Sequence, residues 1–185
     1  MESLDEADKN EFLYILGSPY KTMCKIFSLK IGVLIICIFD IIFGIVGFFW
    51  GIISLIEILL YDLWFLEYVL QFSRFIVYSF AIPFSVMAMK GCFELDYWDI
   101  ERYYDYKMVE LFYLVLTSLL ISFTDETRNG NEVFVIFNVS VMISWRLGLL
   151  FVVKVIWSAA VRLKYRQFML FMHGEEDYDY IRINK

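Results

Sequence analysis

The chain has 185 residues, of which 61% are hydrophobic and 20% aromatic, whereas soluble domains contain about 45–50% apolar residues. This composition all but excludes a soluble globular domain, a disordered chain and a disulfide scaffold, and it predicts an all-α integral membrane protein. The net charge of −6 argues against a nucleic-acid-binding protein, since such domains are usually basic.

Residues 1–24 form an acidic N-terminal segment. The first eleven residues contain five acidic side chains and one lysine, which is the wrong charge for a cleavable signal or transit peptide. Ser3 and Glu6 have the spacing of a capping box, and Gly17 begins a Gly-Ser-Pro stop signal. We therefore predict a short amphipathic helix over about 4–16 and no cleavable targeting peptide.

A membrane domain over 25–160 is predicted from four apolar runs, each close to the roughly 20 residues that a spanning helix needs. The runs cover about 31–56, 64–89, 108–123 and 133–160, and we expect them to form a bundle of four transmembrane helices. Between the second and third runs, residues 90–107 interleave aromatic with acidic side chains. Such a composition is typical of a segment at headgroup depth, so a flat amphipathic loop is predicted there.

Basic residues predict the orientation of the spans. Twelve lysines and arginines fall on the side of the two termini, and only Arg128 falls on the other side. The positive-inside rule then places both termini in the cytoplasm, or in the matrix of a mitochondrion. Residues 161–185 are predicted to continue the fourth helix to His173, with Gly174 as its stop, and to end in an acidic tail. The organelle stays open between the mitochondrial inner membrane and an endomembrane.

Among the charged side chains inside the predicted spans, three lie at similar depth within the bilayer, where a charge is costly. Counting about 1.5 Å per residue places Asp40, Arg74 and Arg146 near one level of the bilayer. We expect Asp40 to pair with one of the two arginines, because pairing offsets the cost of burial. Either this charge cluster fixes helix register, within the chain or with a neighbouring subunit, or it is a substrate or proton site of a transporter.

Small residues recur on the first span, where close helix packing is expected. The Gly47-x-x-x-Gly51 spacing is one that lets two membrane helices approach closely. The packing residues predicted on this basis are Gly44, Gly47, Gly51 and Ser54. They fit contact within the chain and contact between chains equally well.

No catalytic, cofactor-binding or metal-binding constellation is evident. Cys24, Cys37 and Cys92 are too far apart in sequence for a CxxC site, and His173 is the only histidine. We therefore expect a protein that is not an enzyme, with no cofactor, no metal and no small-molecule substrate.

The sequence resembles the small four-span proteins of the endolysosomal membrane, the lysosome-associated LAPTM type. The likeness rests on the Lys-Thr-Met-Cys sequence that ends at Cys24, on the Ser-Leu-Lys-Ile-Gly opening of the first span, and on two tail motifs. These motifs have the tyrosine-x-x-apolar pattern of sorting signals and comprise Tyr165 with Phe168 and Tyr178 with Ile181. The family's paired N-terminal cysteines are missing. The resemblance implies trafficking and partner regulation rather than catalysis.

The function expected from the sequence is that of a non-catalytic multi-pass membrane protein. A structural or accessory subunit of a larger membrane complex, for example an energy-transducing one, is the first interpretation, with membrane lipids and other membrane-protein subunits as partners. A sorting adaptor of LAPTM type is the second interpretation. A small ion- or proton-coupled transporter is the third.

Overall fold

The structure is a computed structural model and describes residues 17–60, 65–129 and 132–173. Within these ranges it leaves out the side chains of 57–59, 65–68, 71, 118, 121–129, 132–139, 142–143 and 145–147. The described chain is mostly helical. Its elements in chain order are β1 (Thr22–Met23), β2 (Phe27–Ser28), α1 (Leu29–Leu60), α2 (Phe65–Glu94), α3 (Tyr97–Asn129), α4 (Glu132–Lys164) and α5 (Phe168–His173).

Two of the described helices contain stretches that are long and apolar enough to cross a membrane. These stretches are Leu29–Ile56 in α1 and Phe72–Glu94 in α2, and they overlap the first two predicted spans. In its 32 residues α1 carries only three charged side chains, Lys30, Asp40 and Glu57. At 1.5 Å per residue a helix of this length extends about 48 Å, which exceeds the roughly 30 Å hydrocarbon core of a bilayer.

Helix α1 packs against α2 and α4, and α3 packs against the same two helices. The predicted packing glycines lie at the contact between α1 and α2. An added Cβ would lie 3.0 Å from Ile82 at Gly44, 2.7 Å from Tyr78 at Gly47 and 2.6 Å from Phe75 at Gly51. From Gly44 to Gly51 the contacting residue on α2 has a progressively lower residue number, so the two helices are antiparallel. Ser54, one turn beyond Gly51, is also buried.

The most deeply buried side chains cluster at one end of the molecule, where α1 and α3 begin and α2 and α4 end. They include Leu29, Val33, Cys37, Ala88, Cys92, Ile100, Tyr103, Ile156, Ala159 and Phe171. The β1–β2 hairpin and α5 contact each other and α1 at this end. Residues before α1 and after α4 therefore belong to one packed unit.

The predicted amphipathic loop over 90–107 is wrong, because only Leu95 and Asp96 separate α2 from α3. The amide of Asp96 donates to the carbonyl of Gly91 at 3.0 Å, and Leu95 has a φ of 59°. This is the geometry of a Schellman-type helix end. Asp96 also caps α3, since its carboxylate accepts a hydrogen bond from the amide of Trp98 at 3.0 Å. A leucine in the left-handed position gives no sequence signal for the stop.

Helix α4 does not continue to His173 as predicted, because it ends at Lys164. The amide of Gln167 donates to the carbonyl of Arg162 at 2.8 Å, and Arg166 has a φ of 55°. The chain turns there and restarts as the short helix α5. The predicted N-terminal helix over 4–16 and the acidic tail beyond Gly174 lie outside the described residues.

Candidate functional site: a buried polar centre

From Lys107 onward, helix α3 buries its described charged residues and exposes apolar ones. Between Lys107 and Leu120, every described side chain that is exposed is apolar: Val109, Phe112, Val115, Leu116, Leu119 and Leu120. In the same stretch Lys107, Glu110 and Thr117 are buried. A helix on a water-soluble protein has the opposite arrangement, with its charged face towards solvent.

Three charged side chains meet where α1 faces α3. The ammonium of Lys107 lies 2.5 Å from the Asp40 carboxylate and 2.5 Å from the Glu110 carboxylate. Exposed fractions are 5% for the Lys107 side chain, 15% for Asp40 and 11% for Glu110. At these distances the contacts are charge-assisted hydrogen bonds, the strongest type between side chains. We call Asp40, Tyr103, Lys107 and Glu110 the polar centre.

Tyrosines of α3 complete the polar centre and connect it to α2. The hydroxyl of Tyr103 donates a hydrogen bond to the same Asp40 oxygen that Lys107 contacts. One turn further, the hydroxyl of Tyr106 donates to the carbonyl of Val77 on α2 at 3.0 Å. The Lys107 ammonium lies 5.9 Å and 5.7 Å from the centres of the two tyrosine rings, within the range of a cation–π contact.

Asp40 does not pair with Arg74, one of the two arginines expected as its partner: it pairs with Lys107, and the described side chains include no Asp40–Arg74 ion pair. The helix register explains the difference. Phe75 lies opposite Gly51, so its neighbour Arg74 lies opposite a position about twelve residues along α1 from Asp40. That separation amounts to about 18 Å. Arg146 lies in α4, but its side chain is outside the described set.

Lys107 was not predicted as a site residue because the third span was expected to begin only at residue 108. Glu110 lies inside that predicted span but was not singled out. The structure starts α3 at Tyr97, which puts Lys107 about 15 Å into the helix. Asp40 lies about 16 Å into α1 by the same count. A signal for this existed in the sequence: Tyr103, Lys107 and Glu110 recur at a spacing of three to four residues, which places them on one helix face.

Of the two predicted sorting motifs, the first lies within the described residues. Tyr165 lies in the turn after α4, is half-buried, and packs against the cluster around Trp157. Phe168 is the first residue of α5. A protein that reads this motif as an extended peptide would have to open the turn. Tyr178 and Ile181 lie outside the described residues.

The cysteine and histidine side chains in the described part of the chain form no metal-binding group. Cys37 and Cys92 are buried free cysteines, and Cys24 is exposed in the hairpin turn. The described residues contain no group of three or more histidine, cysteine or acidic side chains that could hold a metal ion. His173 is exposed at the end of α5. Within the described residues, the buried charge network of the polar centre is therefore the candidate functional site.

Comparison with known protein families, with curated proteins and with solved structures finds no match to this chain. The class that its own features define is a helical protein with two helices long and apolar enough to cross a membrane. The resemblance to the LAPTM type stays an expectation from the sequence.

Proposed function

We propose that this chain is a multi-pass membrane protein with four spanning helices and a non-catalytic, structural role as an accessory subunit of a larger membrane complex. The observation that carries the proposal is the arrangement of α3, which turns Lys107 and Glu110 inward and Phe112 and Leu116 outward. Burying charge while exposing apolar surface is unfavourable in water. The same arrangement is favourable in hydrocarbon, where exposed apolar groups are already solvated.

The exposed face of α1 supports the same proposal. Thirteen of its large apolar side chains are exposed, with Phe49 at 62% and Trp50 at 65%. Monomeric soluble proteins rarely expose a continuous apolar patch of this extent. In the proposed setting this face contacts lipid tails or apolar helices of neighbouring subunits.

The contacts of the polar centre support a structural rather than a catalytic role. Asp40 takes both of its described partners, Tyr103 and Lys107, from α3 of the same chain. Intramembrane charges that pair internally can fix the position of one helix against another. This pairing fixes the register of α1 against α3, although each of these two helices packs mainly against α2 and α4.

A first experiment tests membrane insertion and partnership together. Membranes containing the native protein are washed with alkaline carbonate and then dissolved in a mild detergent, and the proteins that stay bound are identified. We expect the chain to remain in the washed membrane and to purify with integral proteins in fixed ratio. Release by carbonate would contradict insertion. Vesicle-coat adaptors and cargo as partners would favour the sorting interpretation instead.

A second experiment separates the structural role from transport. Asp40→Asn removes the carboxylate charge that lies beside Lys107, and we expect less folded protein and less assembled complex. Arg102→Gln, at an exposed position of the same helix as Lys107, is the control and should leave both unchanged. If Asp40→Asn assembles normally but abolishes a pH-dependent solute flux in liposomes, the transporter interpretation replaces the structural one.

A further inference from the structure

The β1–β2 hairpin and the end of α4 with α5 form a surface that is basic and apolar. We call residues 17–30 and 164–173 the basic cap. The cap contains no acidic residue. It carries exposed or half-buried basic side chains at Lys21, Lys25, Lys30, Lys164 and Arg166, and exposed apolar ones at Ile26, Phe27, Phe168 and Met169. Among the described residues at this end of the molecule, the acidic ones include Glu94, Asp96 and Asp99, which lie at the turn between α2 and α3.

The basic cap is held rigidly against the helices. The Arg162 guanidinium donates to the carbonyl of Pro19 at 3.1 Å and to the side-chain oxygen of Gln167 at 2.6 Å. The amide of Tyr20 donates to the hydroxyl of Ser158 at 2.9 Å. Because both halves of the cap are fixed to α4, its charges are arranged in advance and need little ordering to meet a partner.

The position of the basic cap fits the edge of a bilayer. Ile26 is 77% exposed and Phe27 41% exposed, and the exposed apolar face of α1 begins directly after them at Ile31. The stretch of α1 that is apolar enough to cross a membrane begins at Leu29, the first residue of the helix, so the hairpin directly before it would lie at the membrane edge. Half-buried Lys30, whose ammonium lies 5.4 Å from the centre of the exposed Phe93 ring, sits at this depth.

We propose that the basic cap is a docking surface for the anionic headgroups of phospholipids in the leaflet on the side of the termini. Lysine and arginine near an anionic leaflet bind it electrostatically, while apolar residues beside them enter the boundary with the acyl chains. The cap provides both kinds of contact on one fixed surface. This inference rests on the proposed membrane insertion and adds the class of lipid that the protein prefers.

The test measures lipid preference of the full chain reconstituted in bilayers. Spin-labelled phosphatidylserine and phosphatidylcholine are compared by electron paramagnetic resonance for the fraction held at the protein surface. We expect a preference for phosphatidylserine that falls in K25Q/K30Q/R166Q, by up to about fivefold for each removed charge. The charge-retaining variant K25R/K30R/R166K is the matched control and should keep the preference.

A measurement on the unchanged protein covers the case in which the triple variant fails to fold. Raising the salt to about 1 M shortens the screening length to about 3 Å, and the preference of the wild-type chain should then be lost. A wild-type chain with no preference at low salt, or one whose preference survives high salt, would overturn the inference. So would a preference that appears only after residues 1–16 are removed, since the acidic N-terminal segment would then be the occupant. Carbonate extraction distinguishes these outcomes from failure of membrane insertion itself.

Discussion

At the scale of single residues, Lys107 is the centre of the network that joins α1 to α3. Its ammonium is shared between the carboxylates of Asp40 and Glu110, 2.5 Å from each, and it is almost fully buried. A buried ion pair adds little compared with an apolar pair of the same shape, but removal of one member is costly because a charge is left behind. The centre therefore specifies helix position more than it adds stability.

A double-mutant cycle on Asp40 and Lys107 follows from this reasoning. Lys107→Met removes the ammonium group that pairs with the Asp40 carboxylate. We expect the unfolding free energy to fall by about 3 kcal/mol, as when one member of a buried ion pair is removed. The average polar contact in a membrane contributes less, roughly 0.6 kcal/mol. Adding Asp40→Asn should recover part of that loss. The unfolding free energies of the two single variants and the double variant are measured by denaturation in mixed micelles. Strictly additive losses would show that the two residues are not coupled.

The two stacked tyrosines give a second residue-scale prediction. Tyr103→Phe removes the hydroxyl that donates to a carboxylate, whereas Tyr106→Phe removes one that donates to the carbonyl of Val77. Hydrogen bonds to charged groups contribute about 1.5–3 kcal/mol and neutral ones about 0.5–1.5 kcal/mol. The same denaturation assay should thus find Tyr103→Phe the more damaging change, and the reverse order would count against the Tyr103–Asp40 contact.

At the scale of elements, the close packing of α1 against α2 depends on glycines, which have no side chain. Gly47 leaves room for the base of Tyr78, whose Cβ and Cγ are fixed close to the α2 backbone and cannot move aside. Gly148 on α4 has nothing within 4 Å of its missing Cβ. The contact with Tyr78 thus requires a glycine at position 47, whereas no neighbouring atom requires one at position 148.

Gly47→Ala and Gly148→Ala form a matched pair for this point. We expect Gly47→Ala to lower the unfolding free energy by about 1–3 kcal/mol, as overpacking does. Gly148→Ala should be neutral or stabilising by up to about 1 kcal/mol, because alanine favours a helix over glycine. Thermal unfolding in detergent compares them directly, and equal effects would contradict the close approach of α1 and α2.

At the scale of the whole molecule, apolar composition was sufficient to predict a helical chain and to locate the two helices that are apolar enough to cross a membrane. The breaks between helices were harder to predict. Leu95 and Arg166 adopt left-handed backbone conformations that usually fall to glycine, so neither helix end is marked in the sequence. The start of α3 was consequently placed too late, and Lys107 was assigned to a loop.

The partner of Asp40 shows the same limit. Depth counting from the ends of apolar runs grouped Arg74 and Arg146 with Asp40 because the true helix ends were unknown. With the ends in place, the same count puts Lys107 and not Arg74 at the level of Asp40. The contact between Lys107 on α3 and Asp40 on α1 depends on how the helices pack in three dimensions, which no local sequence pattern predicts.

The central claim, that α3 turns its apolar face to lipid, is tested most directly by spin labels on α3. Nitroxides are attached to single cysteines at Phe112 and at Arg102 in a Cys24→Ser background, and collisions with oxygen and with a water-soluble nickel complex are counted in reconstituted bilayers. We predict that the label at Phe112 meets oxygen far more often than nickel and that the label at Arg102 shows the reverse. A label at Phe112 that meets nickel as often as the label at Arg102 would contradict the account.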